Sequence, residues 1–139
     1  MTFALATCTY QEFTPSMGHA VRTTVGPPRG PLAYALAGHA TLLAPRREML
    51  GLSYGAYKPR YLQLLDSAGI DAIRAELEEI AVGLDTGQPL VLLCFDRLDK
   101  PGTWCHRSMA ATWLQEHADI EVPELGAQQP AQPPSLFDL

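Results

Sequence analysis

The sequence predicts an alternating α/β domain, and three stretches carry that expectation. Pro89-Leu-Val-Leu-Leu-Cys-Phe-Asp96 is a short continuous apolar run, the pattern of a strand buried on both faces of a sheet. Residues Ile70 to Leu84 set Ile73, Leu77, Ile80, Ala81 and Leu84 on one stripe and leave Glu76, Glu78 and Glu79 largely facing water, as in an amphipathic helix. Beyond the apolar run, Met109, Ala110, Trp113 and Leu114 recur at helical spacing, so helix, strand and helix succeed one another.

In chain order, Phe3 to Tyr10 and His19 to Thr24 read as strands from their β-branched and aromatic content, separated by a loop with Pro15 and Gly18. Gly26-Pro-Pro-Arg-Gly-Pro31 interrupts regular structure. A short helix is expected at Pro31 to Leu36, and the remainder up to residue 56 has no clean period. A helix follows Pro59 over Arg60 to Asp66, Asp85-Thr-Gly-Gln88 closes the helix begun at Ile70, and a short strand at Ile120 to Val122 completes the sheet. Residues 1–125 thus form one domain. Residues 126–139, with Ala-Gln-Gln-Pro-Ala-Gln-Pro-Pro, form a flexible or extended tail that buries nothing.

The 139 residues suit a single core that needs neither metal nor disulfide, burying roughly two thirds of the unfolded surface. Three cysteines, an odd number, argue against a disulfide framework and are read as packed or functional thiols. Cys8 and Cys94 have core surroundings, whereas Cys105 is open between packing and reactivity. The net charge of −5 is uneven. Residues 1–65 carry six basic groups against Glu12 and Glu48, and the remainder carries four against thirteen. Nucleic acid or a phosphorylated ligand would therefore meet the first half together with Arg107, the alternative being ordinary solvated arginines. No run approaches the ~20 apolar residues of a membrane span. The opening Met-Thr-Phe-Ala-Leu-Ala-Thr lacks a basic leader, which makes a cytoplasmic location the default expectation.

Chemistry is expected where the buried strand hands over to the next helix, because ligands in α/β sheets bind outside the carboxyl ends of the strands. Thr103 is placed as the helix cap, with Cys105, His106 and Arg107 in the first turn, where backbone donors and the helix dipole favour an anion and a thiolate. Arg107 is the principal anion-binding candidate, with Arg22 and Arg29 beside it. Cys105, His106 and Asp96 are the catalytic candidates, His106 and Asp96 as proton-transfer groups. Covalent attack by Cys105 with His106 as its base runs against the tendency of adjacent helical residues to point apart. Cys94, Cys105 and His106 offer soft ligands, yet no second close cysteine pair or spaced histidine pair accompanies them, so neither metal nor cofactor is expected. No Gly-x-Gly-x-x-Gly or phosphate-loop pattern occurs. His19, His39 and His117 are isolated and read as surface or capped residues.

Leu92-Leu-Cys-Phe-Asp96, a short Pro/Gly-containing linker, Cys105-His-Arg107 and a helix with Ala and Trp-Leu together resemble the bacterial and phage family labelled domain of unknown function 488. That family shows a Cys-aromatic-acid triplet, usually with Glu where this chain has Asp96, and a Cys-His-Arg helix start. Thr7-Cys-Thr-Tyr10, Val21-Arg-Thr-Thr-Val-Gly26 with Pro28, and Tyr57-Lys-Pro-Arg-Tyr-Leu62 resemble its other segments, so the likeness spans roughly residues 5 to 122. It implies a compact Rossmann-like, three-layer α/β domain with a site at Cys105, His106 and Arg107, and leaves the activity open.

The tail holds Gln132-Pro-Pro-Ser-Leu-Phe-Asp138, which resembles the peptide by which bacterial replication and repair proteins bind the DNA sliding clamp, with spacing one residue longer than the commonest form. Gln132 would bond at the rim of a pocket filled by Leu136 and Phe137, and a Pro-rich tether lowers the ordering cost. Phe137 docking on its own domain or on an oligomer partner is the competing expectation. Two functions from different classes follow. One is a clamp-bound protein of nucleic-acid metabolism that holds an anionic ligand at the Cys-His-Arg start. The other is a small-molecule or nucleotide enzyme using Cys105, His106 and Arg107.

Overall fold

All the strands among the described residues run parallel in one sheet, in the spatial order Leu5–Thr9, Leu90–Cys94, His19–Arg22 and Gly38–His39, as the apolar, two-face-buried run at Leu90–Cys94 favours. The computed structural model describes residues 1–96 and 103–126. Its strands are β1 (Leu5–Thr9), β2 (His19–Arg22), β3 (Gly38–His39) and β4 (Leu90–Cys94), and its helices are α1 (Tyr54–Ala68), α2 (Ile70–Ala81) and α3 (His106–Ala118). Single 3₁₀ turns occur at Pro15–Met17, Thr41–Leu43 and Arg47–Met49. Strand β4 lies between β1 and β2, in register Thr9 with Cys94 on one side and Arg22 with Leu93 on the other.

Period-two alternation divides the core. Leu5, Val21, Leu90 and Leu92 face the cluster built with Tyr61, Leu65, Ile73, Leu77, Trp113 and Leu114 of the three helices. Ala6, Cys8, Ala20, Val91 and Leu93 face the other way, where Tyr10, Phe13, Leu32 and Tyr34 cover them. The helical layer thus lies against one face. Loop segments, with no α-helix among the described residues, occupy the face where a third, helical layer was expected.

Several boundaries move for local reasons. Helix α1 begins well before Pro59, because the Ser53 side chain accepts from the Ala56 N–H and because Tyr57 and Tyr61 both bury. Pro59 lies inside the helix; the carbonyl it leaves unpaired belongs to Gly55, which is exposed to water. Residues 31–36 are not helical, and 120–122 form no strand: the pairing to β1 there is one bridge, Thr7 with Glu124. The N-cap position of α3 is held by Cys105, in extended conformation and without a capping side-chain bond, and not by Thr103. No helix among the described residues is long and apolar enough to cross a membrane. The tail residues Gln132, Leu136 and Phe137 lie outside the described residues.

Candidate functional site

The carboxyl ends of β2 and β4 and the first turn of α3 meet around a cavity of about 340 Å³. Cys94, Cys105 and His106 line it together with Tyr57, Phe95 and Trp104. Trp104 packs on the Tyr57 ring at 4.8 Å and on Tyr54 at 5.5 Å, which makes one wall aromatic. A larger groove of about 670 Å³ runs between α1 and α3 and reaches Cys105 from the other side, but it lacks Cys94 and His106. The candidate residues Cys94, Cys105 and His106 meet at the smaller cavity.

Cys94 ends β4 and Cys105, 11 positions on, precedes α3; their sulfurs meet, while the two Cα atoms stand 7.5 Å apart, wider than a disulfide ordinarily spans. Two of the three cysteines thus come together, where the sequence treated them separately, and Cys8 stands apart from them. Cys8 is buried, and burial pushes its thiol up to about 11, so it is unreactive where it sits. Cys94, expected to be an inert core residue, instead faces the guanidinium of Arg107, with Nη1 2.9 Å from its Sγ.

His106 is buried beside the pair. Its Nε2–H donates to the Thr23 carbonyl at 2.9 Å, with the Thr23 hydroxyl also near at 3.1 Å. A carbonyl only accepts, so the proton of the neutral ring is on Nε2 and Nδ1 presents a lone pair. Burial is the main reason its imidazolium is held down to about 4; the Arg107 charge lowers it further, and the Thr23 carbonyl partly opposes them. Nδ1 stands 3.8 Å from Cys105 Sγ. The neighbours expected to diverge therefore meet, because Cys105 at φ −149°, ψ 150° is not yet helical and turns its side chain back toward the next residue.

Arg107 has no exposed surface. Its Nε donates to Glu124 Oε1 at 2.8 Å, Nη2 to Glu124 Oε2 at 3.3 Å, and Nη1 also to the Asp96 carbonyl oxygen. It serves as an internal counter-charge that ties β4, α3 and the Thr7–Glu124 bridge together, and it does not offer itself to an external anion as the sequence suggested. Arg22 donates to the carbonyls of Thr24 and Val25, and Arg29 lies over the Phe95 ring at 5.4 Å, so the three arginines are held by different partners. Asp96 is exposed, lines the cavity, and adds to the burial that raises the Tyr57 phenol well above its usual value. His19, His39 and His117 each bond a backbone carbonyl, as capped histidines do.

Sequence reasoning missed Thr23, Glu124, Tyr57 and Trp104. Thr23 was assigned only to a strand, and Glu124, 17 positions after Arg107, carries no local signal of its pairing. Comparison with known proteins returned no matching family model, curated protein or solved structure.

Proposed function

We propose that this chain is a dithiol/disulfide protein acting on a small molecule, with Cys94 and Cys105 as its redox couple. The observation that carries this reading is the joined Cys94 and Cys105 sulfurs on the floor of an aromatic-walled cavity, with the Arg107 guanidinium 2.9 Å from Cys94 Sγ. Cys94 and Cys105 border the cavity but are 0 % and 2 % exposed, so the face of another protein cannot reach them and a small thiol entering the cavity needs a local opening to reach the sulfurs.

The balanced step begins when the thiolate of a small-molecule thiol attacks Cys105 Sγ. The sulfur–sulfur bond breaks and its electron pair leaves on Cys94, where Arg107 is the compensating charge. A second small thiol then displaces Cys105 from the mixed disulfide. Two thiols become one disulfide while the protein pair takes up two electrons and two protons. Neutral His106, with Nδ1 toward Cys105, is placed to accept a hydrogen bond from the Cys105 thiol once the pair is reduced.

Equilibration across glutathione ratios, alkylation of free thiols and intact-mass counting test the reading. Two labels are expected to appear together, in one two-electron step on the folded protein, with Cys8 as a constant background. A pair that opens only when the protein unfolds overturns the redox role and makes the disulfide structural.

For the tail we propose clamp binding through Gln132, Leu136 and Phe137, supported by the Gln132–Asp138 sequence alone. Tethering would raise the effective concentration of the domain at DNA.

A further inference from the structure

We propose that the reduced form of this site is a soft-metal centre, in which Cys94 Sγ, Cys105 Sγ and His106 Nδ1 hold one zinc-class ion and the fourth coordination position opens into the cavity. The inference rests on the reading that the Cys94–Cys105 pair opens under reduction. Sequence spacing gave no metal pattern. The fold nevertheless brings one ligand atom from each of these three buried residues within 4.8 Å of one another.

Three features of the surroundings fit an ion. The first is the histidine's outer partner: the Thr23 carbonyl takes the Nε2 proton and so aims the Nδ1 lone pair inward, which is how ligating histidines are oriented. Thr23 is itself fixed, because its hydroxyl donates to the Leu93 carbonyl at 2.8 Å and its N–H to the same oxygen at 3.2 Å. The second is room. The two Cα atoms are 7.5 Å apart, which leaves the freed thiolates space to take the S···S separation of about 3.8 Å set by two Zn–S bonds of about 2.3 Å at a tetrahedral angle.

The third is charge. Two thiolates neutralise a divalent cation and Glu124 balances Arg107, so the filled centre is neutral overall in a region where net charge is costly. An N–H from Arg107 to Cys94 Sγ remains available as a bond to a ligating sulfur. The cavity, walled by Leu50, Leu52, Tyr57 and Trp104, gives the fourth position to a water or to a small ligand. Three protein ligands with an open fourth position are the arrangement of catalytic rather than structural zinc.

Disulfide and ion exclude one another. Two equivalents of a small-molecule thiol, oxidised to their own disulfide, convert the protein disulfide to two thiols. Binding of the dication then displaces two protons to solvent, and reoxidation by a small-molecule disulfide expels the ion.

The full chain, reduced with a phosphine, is titrated with Co²⁺ and then with Zn²⁺. The expected result is a 1:1 complex with a sulfur-to-cobalt charge-transfer band and intense tetrahedral visible bands, displaced by Zn²⁺ and absent from oxidised protein. Cys94→Ser and Cys105→Ser should each lose it. His106→Asn and His106→Gln, both checked for fold by circular dichroism, should weaken it by more than the roughly tenfold to hundredfold that loss of an outer partner costs. The inference is overturned if reduced protein shows no 1:1 complex, if folded His106 variants bind as tightly, or if oxidised protein binds equally. A couple that titrates without binding metal sinks the metal centre alone, whereas a pair that never opens sinks the redox reading with it.

Discussion

Arg107 is the residue whose burial has the largest energetic consequence. A guanidinium without solvent exposure is tolerable because the Glu124 carboxylate, two carbonyl-or-sulfur acceptors and the surrounding backbone satisfy it. Arg107→Met keeps the volume and removes the charge, leaving Glu124 17 % exposed and without its partner. The expected cost is about 3 kcal/mol, at the lower end for a broken buried pair because water can still reach Glu124. Urea denaturation reads it, and Glu124→Gln in the same background should recover part of the loss. A midpoint within error of the parent would mean that the pair contributes nothing. At this scale the sequence singled out Cys105, His106 and Arg107 as a group, since all three are local to one helix start. It missed their partners Thr23 and Glu124, which are 83 and 17 positions away from the residues they hold.

At the scale of elements, the passage from the first 3₁₀ turn into β2 depends on Gly18. Its φ of 149° and ψ of −150° lie in a region essentially reserved for glycine. A Cβ there would collide with the Pro89 carbonyl oxygen, the acceptor that begins the β2–β4 ladder by bonding the His19 N–H at 2.9 Å. Gly18→Ala should therefore cost about 2 kcal/mol or more from backbone strain alone. Thermal melting is the check, and an unchanged midpoint would show that the strands part without penalty. Long periodic elements were legible. Helix α2 and strand β4 appear close to where hydrophobic patterning put them, because each buries its own stripe or run. The early start of α1 and the Cys105 cap were not legible. A serine three residues before an amide, or an extended residue before a helix, matters only once Tyr57, Tyr61 and His106 have a core to enter.

For the whole molecule, the three arginines singled out in sequence do not converge on one site: Arg22 and Arg107 are held by internal acceptors, and exposed Arg29 lies over the Phe95 ring. The tail offers a separate route to nucleic acid, by way of the proposed clamp binding. Calorimetric titration of the intact protein against bacterial sliding clamps should show binding that Leu136→Ala with Phe137→Ala abolishes. No heat with clamps from several bacteria would leave the tail to contacts with its own domain or with a second copy. Local sequence determined the α/β alternation, the buried central strand and the grouping of Cys105, His106 and Arg107 at one helix start, since each depends on residues adjacent along the chain. Only the tertiary structure decided that Cys94 meets Cys105, that His106 turns its free nitrogen toward them and that Arg107 is sealed inside by Glu124. Those pairings join separate segments, and their energy depends on burial and distance that no spacing in the sequence encodes.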